Sequence, residues 1–195
     1  MDLTGSPITG SHVTGSHVTG KQVRATTTTE AAVLALLAIN GEQSGYDLLK
    51  HVGRSIGHVW APAKSQLYAL LPRLVRDGLA SSRTVVQSGR PDKELYALTA
   101  AGRAALDDWL TTVVPNDEKG FALKLFVGGL TSHDVLRRHL EQFRDDSLAR
   151  LAELEEVDRG NTREGNDWYH GFLLDLGLAR ARGSVAWAEE VLKEL

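Results

Sequence analysis

Apolar residues recur along most of this chain at helical spacing, broken at a few sharp points. The longest unbroken apolar run, Ala31 to Ile39, has the length of a buried helix and falls well short of the ~20 residues that span a bilayer. Thr29 is placed to cap this first helix, Asn40-Gly41 to stop it, and Val33, Leu36 and Leu37 to share its inward face. Ser44 and Asp47 form a capping-box pattern, and Tyr46, Leu49, Val52 and Ile56 follow at helical spacing, predicting a short amphipathic second helix that ends at Gly57. From Lys64 to Asp77 the stripe Leu67, Leu70, Leu71 and Leu74 predicts a third helix closed by Gly78, with Lys64, Gln66, Arg73 and Arg76 on its opposite side and Ser65 and Tyr68 near its start. Pro72 lies inside this helix, removes one backbone donor and predicts a bend or a tightening.

The period then changes. Leu79 to Val86 is rich in β-branched residues and Lys93 to Leu98 alternates, with Gln87 to Asp92 between them, which predicts a β-hairpin whose tip carries Arg90 and Lys93. Thr99 caps a fourth helix running to about Thr112 through Leu106, Trp109 and Leu110. Three helices, a two-stranded ribbon and a further helix, in that order, make a winged helix-turn-helix in which the ribbon is the wing.

The remainder reads as helix. Phe121, Ala122, Leu125 and Phe126 mark a segment from Asp117 to Val127, broken at Gly128-Gly129. Thr131 and Asp134 predict the start of a long helix to Arg159, striped by Leu136, Leu140, Phe143, Leu151 and Leu154. Trp168, Phe172, Leu176, Ala179, Trp187 and Val191 stripe a last helix. Such seams lack partners inside so small a unit, so a second copy of the chain is expected to cover Leu136, Leu140, Phe143, Leu151, Trp168, Phe172, Leu176 and Trp187.

The fold class expected is therefore mainly α: residues 1–28 a disordered arm, 29–112 a winged helix-turn-helix DNA-binding domain, 113–195 an all-α dimerisation domain. The arm is assigned from its composition, a five-residue unit (TGSPI, TGSHV, TGSHV, TGKQV) repeated from residue 4 to 23 and too poor in apolar surface to offset chain entropy. His12 and His17 within it make a poor metal site, and repeat expansion explains them better.

Charge changes the picture more than composition does. The chain of 195 residues has a net charge of −3, yet residues 44 to 96 hold eight cations against four anions while residues 97 to 195 are acidic. A basic segment beside an acidic one is the asymmetry of a part that meets a polyanion. The absence of cysteine excludes disulfides, thiolate metal sites and cysteine nucleophiles, and no segment reads as a secretory signal, so a cytoplasmic protein is expected.

Catalytic patterns are weak. Gly53-Arg54-Ser55-Ile56-Gly57 matches the GxSxG of serine hydrolases, but an amphipathic helix leads into it where that chemistry needs a strand and a parallel sheet. His51, His58, His133, His139 and His170 show no metal-ligand spacing, and Gly128-Gly129 lacks the lysine of a phosphate loop. No enzyme activity, cofactor or metal is expected. The third helix and the wing are different, because the expected fold puts their polar residues on one surface: Lys64, Ser65, Gln66 and Tyr68 can enter a major groove, Arg90 and Lys93 lie on the ribbon, and Arg73 and Arg76 stand further along the helix. The bland alternative is ordinary solvated charge.

Val33 to Leu110 resembles the PadR family of bacterial transcriptional regulators in SGYDL at the second helix, Trp60 before a short loop, SQLY at Ser65 to Tyr68, RLVRDGLA, GRPDKELYALT in the wing and AGR in the fourth helix. The resemblance implies a homodimeric repressor on a palindromic operator, with Ser65, Gln66 and Tyr68 in the major groove, Arg90 on the wing, and in some members a phenolic or planar drug-like effector. Pro72 and the repetitive arm are not features the family requires. Trp109, Phe121 and Phe126 are candidates to wall an effector pocket, although aromatics at helical spacing are more often core. The competing reading is a winged-helix protein-interaction module that does not bind DNA.

Overall fold

The structure, a computed structural model, describes residues 25–54, 57, 60–89 and 91–195. The repeats with His12 and His17, together with Ser55, Ile56, His58 and Arg90, lie outside the described residues.

Helix α1 (Thr28–Asn40) is capped by Thr27 in place of the expected Thr29. Thr27 alone among its threonine neighbours has a glutamate three positions on: its hydroxyl accepts from the Glu30 amide, and the Glu30 carboxylate accepts the Thr27 amide at 2.8 Å. That reciprocity sets the start. Where one inward face was expected, α1 is buried from Glu30 to Leu37 without a break, because it runs through the middle of the N-terminal half against α2, α4, α5 and the second strand. Gly41, at φ +73°, ends it with a backbone few other residues adopt.

Helix α2 (Gly45–Arg54) opens on the expected box, Ser44 Oγ donating to Asp47 at 2.7 Å. Val52 turns inward and Leu49 packs half-buried against the core as expected, whereas Leu48 takes the inward place expected of Tyr46, which faces solvent. Trp60 follows, buried in the same core. Helix α3 (Lys64–Arg76) turns Leu67, Leu70, Leu71 and Leu74 inward as the pattern predicts. Pro72 sits on its exposed side and the helix runs through it, since the Tyr68 carbonyl left without an amide is on the wet face.

Strands β1 (Ala80–Val85) and β2 (Lys93–Leu98) pair antiparallel from Ala80 opposite Leu98 to Val85 opposite Lys93. The α1–α2 connection joins this ribbon: Gln43 and Tyr96 exchange both backbone hydrogen bonds, at 3.0 and 2.8 Å. Helix α4 (Ala100–Thr111) begins at Thr99, whose hydroxyl accepts from the Gly102 amide and donates to the Gly78 carbonyl at 2.7 Å. At Gly102 the helix presses on the hairpin so closely that a Cβ would stand 1.9 Å from the Leu79 carbonyl oxygen.

Helix α5 (Glu118–Phe126) turns Leu123 and Lys124 inward and leaves Phe126 exposed. A 3-10 turn at Gly128–Leu130 leads to α6 (His133–Gly160), which Ser132 caps where Thr131 was expected, its hydroxyl accepting the Val135 amide. Helix α7 (Asn166–Glu194) runs back antiparallel, as Arg137 reaching the Leu192 carbonyl at one end and Arg182 pairing with Glu155 further along require. Among the described residues no helix is long and apolar enough to cross a membrane.

Candidate nucleic-acid interface

The leucine stripe that anchors α3 decides what its other side presents. With Leu67, Leu70, Leu71 and Leu74 buried, Lys64, Ser65, Gln66, Tyr68 and Arg76 stand exposed. Lys64 Nζ lies 5.8 Å from the Tyr68 ring centroid, so the ammonium and the phenol share one corner of the surface. Ala63 at the N-cap offers no side-chain acceptor, and the first-turn amides face outward at the positive end of the helix dipole.

Several other cations in this half are bound to carboxylates of the body. Lys93 Nζ lies 2.9 Å from Asp47 on α2, and the Ser44 hydroxyl together with Lys93 holds the Asp47 carboxyl down to about 2. Arg83 Nε donates to Glu42 at 2.7 Å, which lowers the glutamate and raises the arginine. Arg73, on the recognition side by sequence, points back to α1 and meets Glu30 at 2.6 Å. Arg76 lies 3.9 Å from Asp77, an ion pair beyond hydrogen-bond length. The structure thus gathers Lys64, Ser65, Gln66 and Tyr68, ties Lys93 and Arg73 to neighbouring carboxylates, and does not describe Arg90.

A second feature lies among the α4–α5 connection, α5, α6 and α7, a cavity of about 740 Å³ lined by Phe121, Lys124, His139, Phe143, Arg150 and Arg180 among others. Of the three aromatics expected to wall a pocket only Phe121 does so. Trp109 is buried behind Lys124, whose ammonium sits 4.7 Å from its ring, and Phe126 faces away. Phe121 stacks on Phe143 at 4.4 Å, and Trp187 meets both edge-on. Sequence reasoning missed Lys124 and His139 here. Both are buried, and both satisfy carbonyls where α4 ends: Lys124 donates to Thr112, and His139 Nε2 to Leu110 at 2.7 Å. Burial lowers the pKa of each. A single lysine inside the apolar run FALKLF was the available signal.

Of the residues expected at a subunit interface, Leu140 is fully buried within the chain and has no surface to give a partner. Leu136, Phe143 and Leu151 are half-buried. Trp168, Phe172 and Leu176 are about half exposed and lie beside the still more exposed Tyr169 and Leu173; the Trp168 ring meets Phe172 at 4.8 Å.

Comparison with known proteins places this geometry. Residues 33–108 match the transcriptional regulator PadR-like family, and residues 119–195 match the family described as virulence activator alpha C-term. The negative transcriptional regulator PadR of Bacillus subtilis is 29% identical over 175 residues, which cover 83% of this chain and 93% of that protein. Its crystal structure in complex with operator DNA is similar at 28% identity, covering 86% of this chain and 99% of that one with a TM-score of 0.44. The structure with p-coumaric acid is similar at 26% identity, covering 85% and 93%, with a TM-score of 0.40.

Proposed function

We propose that this chain, whose residues 33–108 match the PadR-like family of transcriptional regulators, is a regulator of that family and a homodimeric repressor that places two copies of α3 in successive major grooves of a palindromic operator. The observation that carries this reading is the exposed group Lys64, Ser65, Gln66 and Tyr68 at the start of a helix whose other side is fixed by buried leucines. Gln66 can pair bidentately with adenine, Lys64 with guanine or phosphate, and Ser65 and Tyr68 with the backbone. Half-sites then lie about one duplex turn apart, ~34 Å. Arg90 is assigned to the minor groove beside the wing.

In this reading residues 1–28 are an accessory arm, 29–112 bind DNA and 113–195 dimerise through the aromatic face of α7 around Trp168 and Phe172. Repression follows the activity for which the Bacillus relative is named. The cavity among the α4–α5 connection, α5, α6 and α7 takes a small aromatic effector: Phe121 and Phe143 supply apolar walls, and Lys124, Arg150 and Arg180 stand beside Asp117, Glu118 and Asp146, so its polar lining is of mixed charge. An occupant that favours another spacing of the two α3 helices lowers operator affinity by its differential affinity for the two states. The protein acts in the cytoplasm and has no enzymatic activity.

The test is fluorescence anisotropy on DNA from upstream of the chain's own gene against scrambled DNA, across a salt series, with p-coumarate as the first effector probe. Preference for the cognate duplex with a steep salt slope supports the reading. Gln66→Ala is expected to cost about 1–3 kcal/mol on the cognate site and little on random DNA. Weak, equal binding to both duplexes at low salt would refute it.

A further inference from the structure

Arg73 belongs by position to the recognition helix, yet its guanidinium is turned away from the exposed group. One terminal nitrogen, Nη2, lies 2.6 Å from Glu30 Oε1, and Nε is buried without a hydrogen-bond partner. The fork that reads guanine O6 and N7 needs two adjacent N–H groups pointing the same way, and here one is bonded inward and its neighbour is shut from solvent. Glu30 is fully buried. Its second oxygen accepts from the Thr27 amide at 2.8 Å and the Thr27 hydroxyl at 2.9 Å. One carboxylate therefore joins the start of α1 to the last turn of α3, across 43 residues of sequence.

The apolar side of α3 cannot do the same. Contacts among Leu67, Leu70, Leu71 and Leu74 and the core fix which side of α3 faces inward, but they are non-directional and set its exact rotation less sharply than a hydrogen bond does. A side-chain tip stands about 5–6 Å from a helix axis, so a rotation of 10° moves it about 1 Å. That is enough to spoil a bidentate bond at Gln66. A charge-assisted hydrogen bond to a carboxylate that is itself fixed at its other oxygen is directional and short.

We infer that Arg73 is a positioning residue: through its ion pair with the buried Glu30 it sets the rotation of α3, so that discrimination between operator and other DNA depends on a carboxylate that never reaches the duplex. This rests on the DNA-binding reading above.

The experiment uses the full-length dimer and a duplex that the wild-type protein itself enriches from a random-sequence pool, with a scrambled duplex as reference. Binding of wild type, Glu30→Gln, Arg73→Gln, Arg73→Lys and the double variant Glu30→Gln/Arg73→Gln is measured on both duplexes across a salt series, with a thermal melt of each as the check on folding. Glu30→Gln and Arg73→Gln are each expected to lose about tenfold of the operator preference while scrambled-DNA affinity and the salt slope stay near wild type. The double variant is expected to lose no more than either single one, and Arg73→Lys to recover part of the preference. A phosphate contact by Arg73 would instead weaken both duplexes alike, reduce the salt slope by about one and leave Glu30→Gln selective, which overturns the inference. Should Glu30→Gln fail to fold, the two Arg73 variants decide between the same outcomes through the salt slope and the lysine rescue. If wild type enriches no duplex, the DNA-binding reading falls and takes the inference with it.

Discussion

Helix α1 buries eight of its 13 residues, whereas α6 buries four of 28 and α7 four of 29. The N-terminal half is finished inside one chain: α1 is enclosed, and α2, α3, α4 and the ribbon all send their apolar residues to it. The C-terminal helices are joined to each other along their length and still leave Trp168, Tyr169, Phe172 and Leu173 at half exposure or more. An apolar surface of that kind on a folded chain marks a place where another surface belongs. The difference separates an N-terminal half whose apolar residues are enclosed within the chain from C-terminal helices that leave part of theirs on the surface, which burial between chains covers in the proposed homodimer.

The largest effect that would break this comparison is in the core. Leu71→Ala removes a fully buried side chain and is expected to lower stability by ~2–5 kcal/mol, measured by urea denaturation and independent of protein concentration. Trp168→Ala should leave that transition unchanged and weaken the dimer by about 2 kcal/mol, some thirtyfold in dissociation constant, in sedimentation equilibrium. A variant as dimeric as wild type would return Trp168 to the ordinary surface. Gly102→Ala drives a methyl group against the Leu79 carbonyl; a loss of about 1–3 kcal/mol is expected in the melting of the N-terminal half. The smallest effect is electrostatic. Asp47 titrates at about 2 in the fold against an ordinary 3.8, so its bonds to Ser44 and Lys93 stabilise fully above about pH 4 and are lost as pH falls through 2. Both partners are more than a third exposed, so Asp47→Asn should cost under ~1 kcal/mol at pH 7, less at pH 2 and nothing by about pH 1.

Much of this was legible in the residues. The leucine stripe of α3, the box at Ser44 and Asp47 and the hairpin from Ala80 to Leu98 follow local rules of period and capping, and the structure has them where those rules put them. The errors lie where a local rule had two solutions or where the deciding partner was remote. Thr27, Thr28 and Thr29 are alike until Glu30 chooses one of them, and Thr131 and Ser132 differ only in which hydroxyl the chain turns toward the Val135 amide. Tyr46 shares helical spacing with Leu49 and Val52, but the burial of Leu48 against the core settled the face. Arg73 reads as one more cation on a basic helix because its partner stands 43 positions earlier. Lys124 and His139 were passed over for the same reason: each is defined by carbonyls of α4 that no spacing pattern connects to it.

The hairpin is fastened to the body out to its last pair, where Lys93 meets Asp47 of α2. Gln43 and Tyr96 hold each other by two backbone bonds near its root, and the register set at Ala80 and Leu98 persists out to Val85 and Lys93. The connection beyond that last pair can gain or lose residues without re-registering any strand, and each doubling of such a loop adds only about 0.6 kcal/mol of closure entropy. The reach of the ribbon is therefore a length that can be altered by insertion while the helical body keeps its shape. In the proposed complex, descendants of this chain can adjust how far along a duplex the wing reaches by trial in a single loop, leaving the placement of α3 as it was.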